Sequence, residues 1–118
     1  MSRKPVDLTL EREIQRDIIE LYERMGCEIV RFTQHGRTGS GTRQTPGIAD
    51  LRVYCRRKDT SWWHEVKTPS GVQSEDQKRF QALAESCRET YILGGTEVAL
   101  EQLRAIGCIT GRPSSVAP

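Results

Sequence analysis

No apolar run in this chain approaches the length needed to cross a bilayer, and its first residues, MSRKPVDLTL, lack the hydrophobic core of a secretory leader. A cytoplasmic protein with no membrane partner is the expectation. Cysteines are few, and Cys27, Cys55, Cys87 and Cys108 include no CxxC pair. That spacing offers neither a zinc motif nor a secreted disulfide framework, so the four thiols are expected to be small buried hydrophobes. His35 and His64 stand apart from each other and from any cysteine at ligand spacing, so neither receives a role. Acids are scarce in one region: between Arg31 and Lys58 the lone acid is Asp50, against Arg31, Arg37, Arg43, Arg52, Arg56, Arg57 and Lys58. Such a block suits a phosphate backbone, although a solvated surface has the same composition.

What is present fits one domain over 1–118, with a core over about 8–107 and a loosely ordered C-terminal tail. In LEREIQRDIIELYERMG the apolar residues Leu10, Ile14, Ile18, Leu21, Tyr22 and Met25 recur at helical spacing, and Gly26 sits where a C-terminal cap belongs. CEIVRF reads as a strand. TQHGRTGSGTRQTPG has no periodicity and is long for a loop in a small domain, which favours a functional role. Its glycines do not make a nucleotide site: Thr42 stands where a P-loop needs lysine, and GSGTRQ lacks the third glycine of a dinucleotide fingerprint. ADLRVYC and SWWHEVK, separated by RRKDT, pair as an antiparallel hairpin. SEDQKRFQALAESCR opens with a capping box from Ser74 to Gln77, with Phe80, Leu83, Ala84 and Cys87 as its buried face. TYIL is a last strand and TEVALEQLRAIG a last helix. The predicted fold class is α/β, a small mixed sheet flanked by helices.

The chemistry concentrates in GIADLRVYCRRKDTSWWHEVK. Strand side chains alternate, so Glu65 and Lys67 share one face while His64 and Val66 take the other. Hairpin pairing brings Asp50 to the mouth of that face. Two carboxylates suit a hard divalent cation such as Mg²⁺ or Mn²⁺, which can polarise a phosphodiester and activate water, and a neighbouring lysine can stabilise developing negative charge. An ordinary exposed strand pair reads the same in the bare E-x-K tripeptide, and DQK at Asp76 to Lys78 shows how readily it recurs. Trp63 lies on the same face, where it can stack on a base or simply pack.

The stretch TPGIADLRVY…WWHEVKTPSGVQSEDQKRFQALAE resembles the VRR-NUC branch of the PD-(D/E)XK nucleases over roughly residues 11 to 104. It has a G-x-P-D-like strand start, an E-x-K strand and an S-x-x-Q helix in that order, with Ala49 in place of the usual proline. The resemblance implies a restriction-endonuclease-like fold and a catalytic set of Asp50, Glu65, Lys67 and Gln77. It also implies a Mg²⁺ or Mn²⁺ site formed by Asp50, Glu65, the backbone carbonyl of Val66 and an acid of the first helix. Among Glu11, Glu13, Asp17, Glu20 and Glu23, the apolar stripe traced back through Ile18 and Ile14 selects Glu11, which equally serves as an N-terminal acid favoured by the helix dipole. Gln77 has its capping role as a second duty. Arg43, and more weakly Arg37, are expected DNA-phosphate contacts. The activity implied is hydrolysis of DNA phosphodiester bonds by a structure-selective endonuclease acting on flaps or four-way (Holliday) junctions. Small stand-alone members resemble phage proteins, and a homodimer would present two sites. The alternative is a non-catalytic nucleic-acid-binding module of the same fold, and RNA is a second possible substrate.

Overall fold

The computed structural model describes residues 8–32 and 45–109. Arg37, Arg43, His35 and the tail beyond residue 109 lie outside the described residues. Three helices, α1 (Leu8–Arg24), α2 (Glu75–Ser86) and α3 (Thr96–Ala105), flank four strands, β1 (Glu28–Arg31), β2 (Leu51–Cys55), β3 (Thr60–Val66) and β4 (Tyr91–Gly94). The sheet order is β1-β2-β3-β4; β1, β2 and β3 run antiparallel, and β4 joins β3 in parallel. The expected order of elements and the mixed sheet are both present.

Local chemistry explains the boundaries. Helix α1 ends at Gly26, whose φ of 85° is open to glycine at little cost. There Cys27 N–H donates to the Tyr22 carbonyl (2.9 Å) and Gly26 N–H to that of Glu23 (3.0 Å), the paired bonds of a Schellman cap. The β2–β3 connection is a short 3-10 turn, Arg56–Lys58, closed by Asp59 in the left-handed region. Helix α2 carries the full capping box, with Ser74 Oγ accepting from Gln77 N–H and Gln77 Oε1 accepting from Ser74 N–H.

Alternation along β3 divides the core. Trp62, His64 and Val66 face α1 and α3, where Ile18, Tyr22, Leu51, Val53, Ala99 and Leu103 are fully buried. Each such aliphatic side chain stabilises the fold by about 1.5–3 kcal/mol. Trp63 turns to the other face and packs with Ala49, Phe80, Ala84 and Tyr91 beneath α2.

Two expectations require correction. Leu83 is 60% exposed and Cys87 is exposed, so neither belongs to the buried face of α2. The helix instead turns inward the row from Gln77 through Phe80 and Gln81 to Ala84, because its inner face bonds polar groups: Gln77 reaches Glu65, and Gln81 accepts from Gln73. The thiols are not uniformly buried either; Cys27 and Cys55 are, whereas Cys108 is only partly covered.

Candidate active site

The antiparallel register pairs Leu51 with His64. Continued by one residue, it sets Asp50 directly opposite Glu65, a spacing of about 5 Å between Cβ atoms. Both side chains are buried, at 4% and 1% exposure, and the Asp50 carboxylate is close enough to act on Glu65 through its charge. Asp50 is fixed from both sides: its Oδ2 accepts from Val66 N–H at 2.8 Å, and its carbonyl accepts from Phe32 N–H at 2.8 Å. Val66 therefore ties the two strands together between the second acid and the lysine.

Gln77 performs both duties expected of it. Its Oε1 accepts from Ser74 N–H (2.8 Å) and from Lys67 Nζ (3.0 Å), and its Nε2 donates to Glu65 Oε2 (2.8 Å). Two donors on one side and a carboxylate on the other fix the amide orientation. Lys67 also donates to the Val72 carbonyl at 3.3 Å and stands 3.9 Å from Glu65 Oε2. Beyond it opens a cleft of about 400 Å³ lined by Ile14, Lys67, Thr68, Gly94, Gly95 and Glu97. The first turn of α2 can approach this closely because of Gly47: a Cβ there would lie 2.3 Å from the Asp76 carbonyl carbon and oxygen.

Glu65 is electrostatically frustrated. Burial raises its pKa most, the Asp50 carboxylate adds to the rise, Lys67 opposes it, and Glu11 raises it further; the result is about 9. Its Oε1, moreover, is buried with no hydrogen-bond partner. A charged site would need a positive partner at that oxygen, and two facing carboxylates with one unsatisfied atom fit a hard divalent cation. Among the described residues no group of three or more His, Cys, Asp and Glu side chains gathers to hold an ion. An ion here would rest on Asp50, Glu65, backbone oxygen and water. Glu11, on the inward edge of α1, is close enough to act on Glu65 through its charge.

The opposite face of β3 holds the strand in place. His64 Nε2 lies 3.0 Å from the Gly94 carbonyl, which can only accept, so Nε2 carries the proton. Nδ1 then accepts from Tyr22 O–H at 2.7 Å, and Tyr22 accepts in turn from Trp62 Nε1 at 3.2 Å. Burial lowers the His64 pKa to about 4, keeping the imidazole neutral. The same Gly94 carbonyl accepts from Lys67 N–H at 3.3 Å. Thus His64, which the sequence left without a role, anchors the strand that carries Glu65 and Lys67. Tyr91 is the other residue that spacing could not supply. It packs under α2, accepts from Gln73 at 3.2 Å, and has its pKa raised by burial and then by the nearby Glu65.

The remaining basic residues stand elsewhere. Arg56, Arg57 and Lys58 form the turn at the far end of the hairpin, five residues of β2 and so about 17 Å from Asp50. Arg56 pairs with Glu28 at 2.6 Å, and Arg57 donates to the Met25 carbonyl. Arg52 lies over Trp63, 4.7 Å from its ring, while Trp63 packs edge-on against Phe80 and donates to Glu89. Trp63 is therefore a partly buried packing residue, with Arg52 over its ring and Phe80 beside it.

No family model and no curated protein matches the sequence. A solved structure described as a VRR_NUC domain is similar to this chain with a TM-score of 0.61 and 21% identity, over 80% of this chain and 94% of that one. The chain thus has a restriction-endonuclease-like fold, shared with a VRR_NUC domain structure, and gathers Asp50, Glu65, Lys67 and Gln77 at one end of its sheet.

Proposed function

We propose that this protein is a divalent-cation-dependent endonuclease that hydrolyses DNA phosphodiester bonds. The observation that carries the reading is the buried Asp50–Glu65 carboxylate pair, with an unsatisfied oxygen, beside a lysine that lines a cleft. The VRR_NUC-like fold supports it.

Asp50, Glu65 and the Val66 carbonyl would hold Mg²⁺ or Mn²⁺, with Glu11 at the rim. When bound, such an ion supplies Lewis-acid polarisation of a phosphate oxygen and a lowered pKa for water. The chain's own residues do the rest. Asp50, locked by Val66 N–H, presents its carboxylate in a fixed direction. Gln77 bonds both Glu65 and Lys67, so the ammonium is held 3.9 Å from the carboxylate instead of collapsing onto it. In a site screened from solvent, Lys67 would offset the negative charge that grows on the phosphate oxygens in the transition state. Branched DNA is the substrate class we assign, with a homodimer presenting two sites. Phosphate contacts would make binding fall steeply with salt.

The test is incubation with single-stranded, duplex, flap and four-way-junction DNA, with and without Mg²⁺ or Mn²⁺, alongside Lys67→Ala. Cation-dependent cleavage that the substitution lowers by about 100-fold or more, with binding retained, is expected. Cleavage that survives a chelator, or a fully active Lys67→Ala protein, would refute the mechanism. Binding by the wild type with no cleavage of any substrate would identify a binding module instead.

A further inference from the structure

The fold gathers three thiols that the sequence scatters. Continuing the β1–β2 register by one residue sets Cys27 opposite Cys55, where antiparallel Cα atoms lie about 4.5–5.5 Å apart. Cys108, just past α3, reaches the same end of the sheet. Its Sγ accepts from Arg57 Nη2 at 3.1 Å and lies 4.0 Å from the Met25 carbonyl oxygen. Cys27 and Cys55 lie in one buried cluster, and Cys108 packs against it. Exposure ranks them: Cys27 and Cys55 are buried, while Cys108 is partly open to solvent. Lys58 packs over the adjoining Gly107, so two cations flank the accessible thiol.

We propose that Cys108 and Cys55 form an oxidation site, in which a small-molecule disulfide converts the two thiols to an intramolecular disulfide. The Cys108 thiolate, beside the Arg57 guanidinium, attacks one sulfur of the reagent; that S–S bond breaks, and the departing thiolate takes a proton. The Cys55 thiolate then attacks Cys108 Sγ in the mixed disulfide. The second reagent thiolate leaves and is protonated. Two electrons pass from the two protein thiols to the reagent, which ends as two thiols, and both protein protons leave with them. Cys27 stays reduced as the third thiol. Burial raises the Cys108 pKa while Arg57 and Lys58 oppose the rise, so the thiolate is a minor form and the first step is slow. The bond would staple the end of β2 to the chain beyond α3, far apart in sequence, and so restrict the unfolded chain.

The experiment uses the full chain with the exposed, distant Cys87 replaced (Cys87→Ser), treated natively with oxidised glutathione, then alkylated and mapped by mass spectrometry. A Cys55–Cys108 linked peptide, loss of two hydrogens, alkylated Cys27 and a melting temperature raised until reductant is added are expected. Arg57→Ala should slow formation of the mixed disulfide several-fold without changing the final link. A stable glutathione adduct on Cys108 with Cys55 intact, a link that leaves Cys108 free, or oxidation only in denaturant would each overturn the proposal.

Discussion

Replacing Glu65 by glutamine removes a charge that the fold buries beside another carboxylate while keeping the shape of the side chain. Glutamine can still accept from Gln77 Nε2 and gains an NH₂ group that can donate toward Asp50. Because the wild-type pKa rises on folding, from 4.5 to about 9, the folded chain holds a proton that the unfolded chain releases. The associated stability is fully present below pH 4.5 and is lost as pH rises toward 9. At pH 8 the linkage slope sets a ceiling of about 5 kcal/mol on that loss. Sharing of the proton with Asp50, and relaxation around the pair, reduce the expected gain on substitution to about 2 kcal/mol. For a chain of this size that is a rise in melting temperature of about 6–10 °C. In chelator, Glu65→Gln should therefore melt well above wild type at pH 8 and close to it at pH 5, while losing cleavage. Mg²⁺ should raise the wild-type transition at pH 8 and leave that of the variant nearly unmoved. Thermal melts followed by circular dichroism at the two pH values decide the matter. A variant that melts at or below wild type at pH 8, or an advantage independent of pH, would refute the account of a frustrated carboxylate awaiting a cation.

Ser74→Ala removes the α2 cap alone and should cost about 1 kcal/mol with cleavage retained; Gln77→Ala should cost at least as much and also depress cleavage, because it releases Glu65 and Lys67. Urea melts and turnover assays separate the two. Gly47→Ala forces a Cβ into the Asp76 backbone at φ 79° and should destabilise the fold by about 1–3 kcal/mol or more, lowering the urea midpoint. Leu83→Gln, on an exposed surface, should change stability by no more than about 0.5 kcal/mol, whereas Ala84→Leu should cost about 1–3 kcal/mol by overpacking the junction with Tyr91.

Much of this architecture was legible because local rules agreed with the global fold. Periodicity placed α1, Ser74 and Gln77 announced the start of α2, and the two apolar runs around RRKDT announced the hairpin. Given the hairpin, pairing arithmetic brought Asp50, Glu65 and Lys67 together. The failures have equally local causes. Leu83 and Cys87 looked like core because helical spacing counts apolar side chains, whereas α2 turns a glutamine-bearing face inward to serve the site. The basic block is contiguous in sequence, and its dispersal needs the fold: β2 carries Arg56, Arg57 and Lys58 to the end away from Asp50. The thiol cluster was hidden for the opposite reason: separations of 28 and 53 residues carry no motif, and only the β1–β2 register and the path after α3 close them.

The hydrogen bond from His64 to the Gly94 carbonyl, with the Gln77 clasp on the other face, gives neighbouring positions of one strand opposite vulnerabilities. A substitution scan from His64 to Lys67 should alternate: changes at 64 and 66 should yield insoluble or molten chains, and polar replacements at 65 and 67 should yield sound proteins that no longer react. Evolution could then silence the chemistry through the odd-numbered charged positions and keep an intact scaffold, a short path from enzyme to pure binding protein.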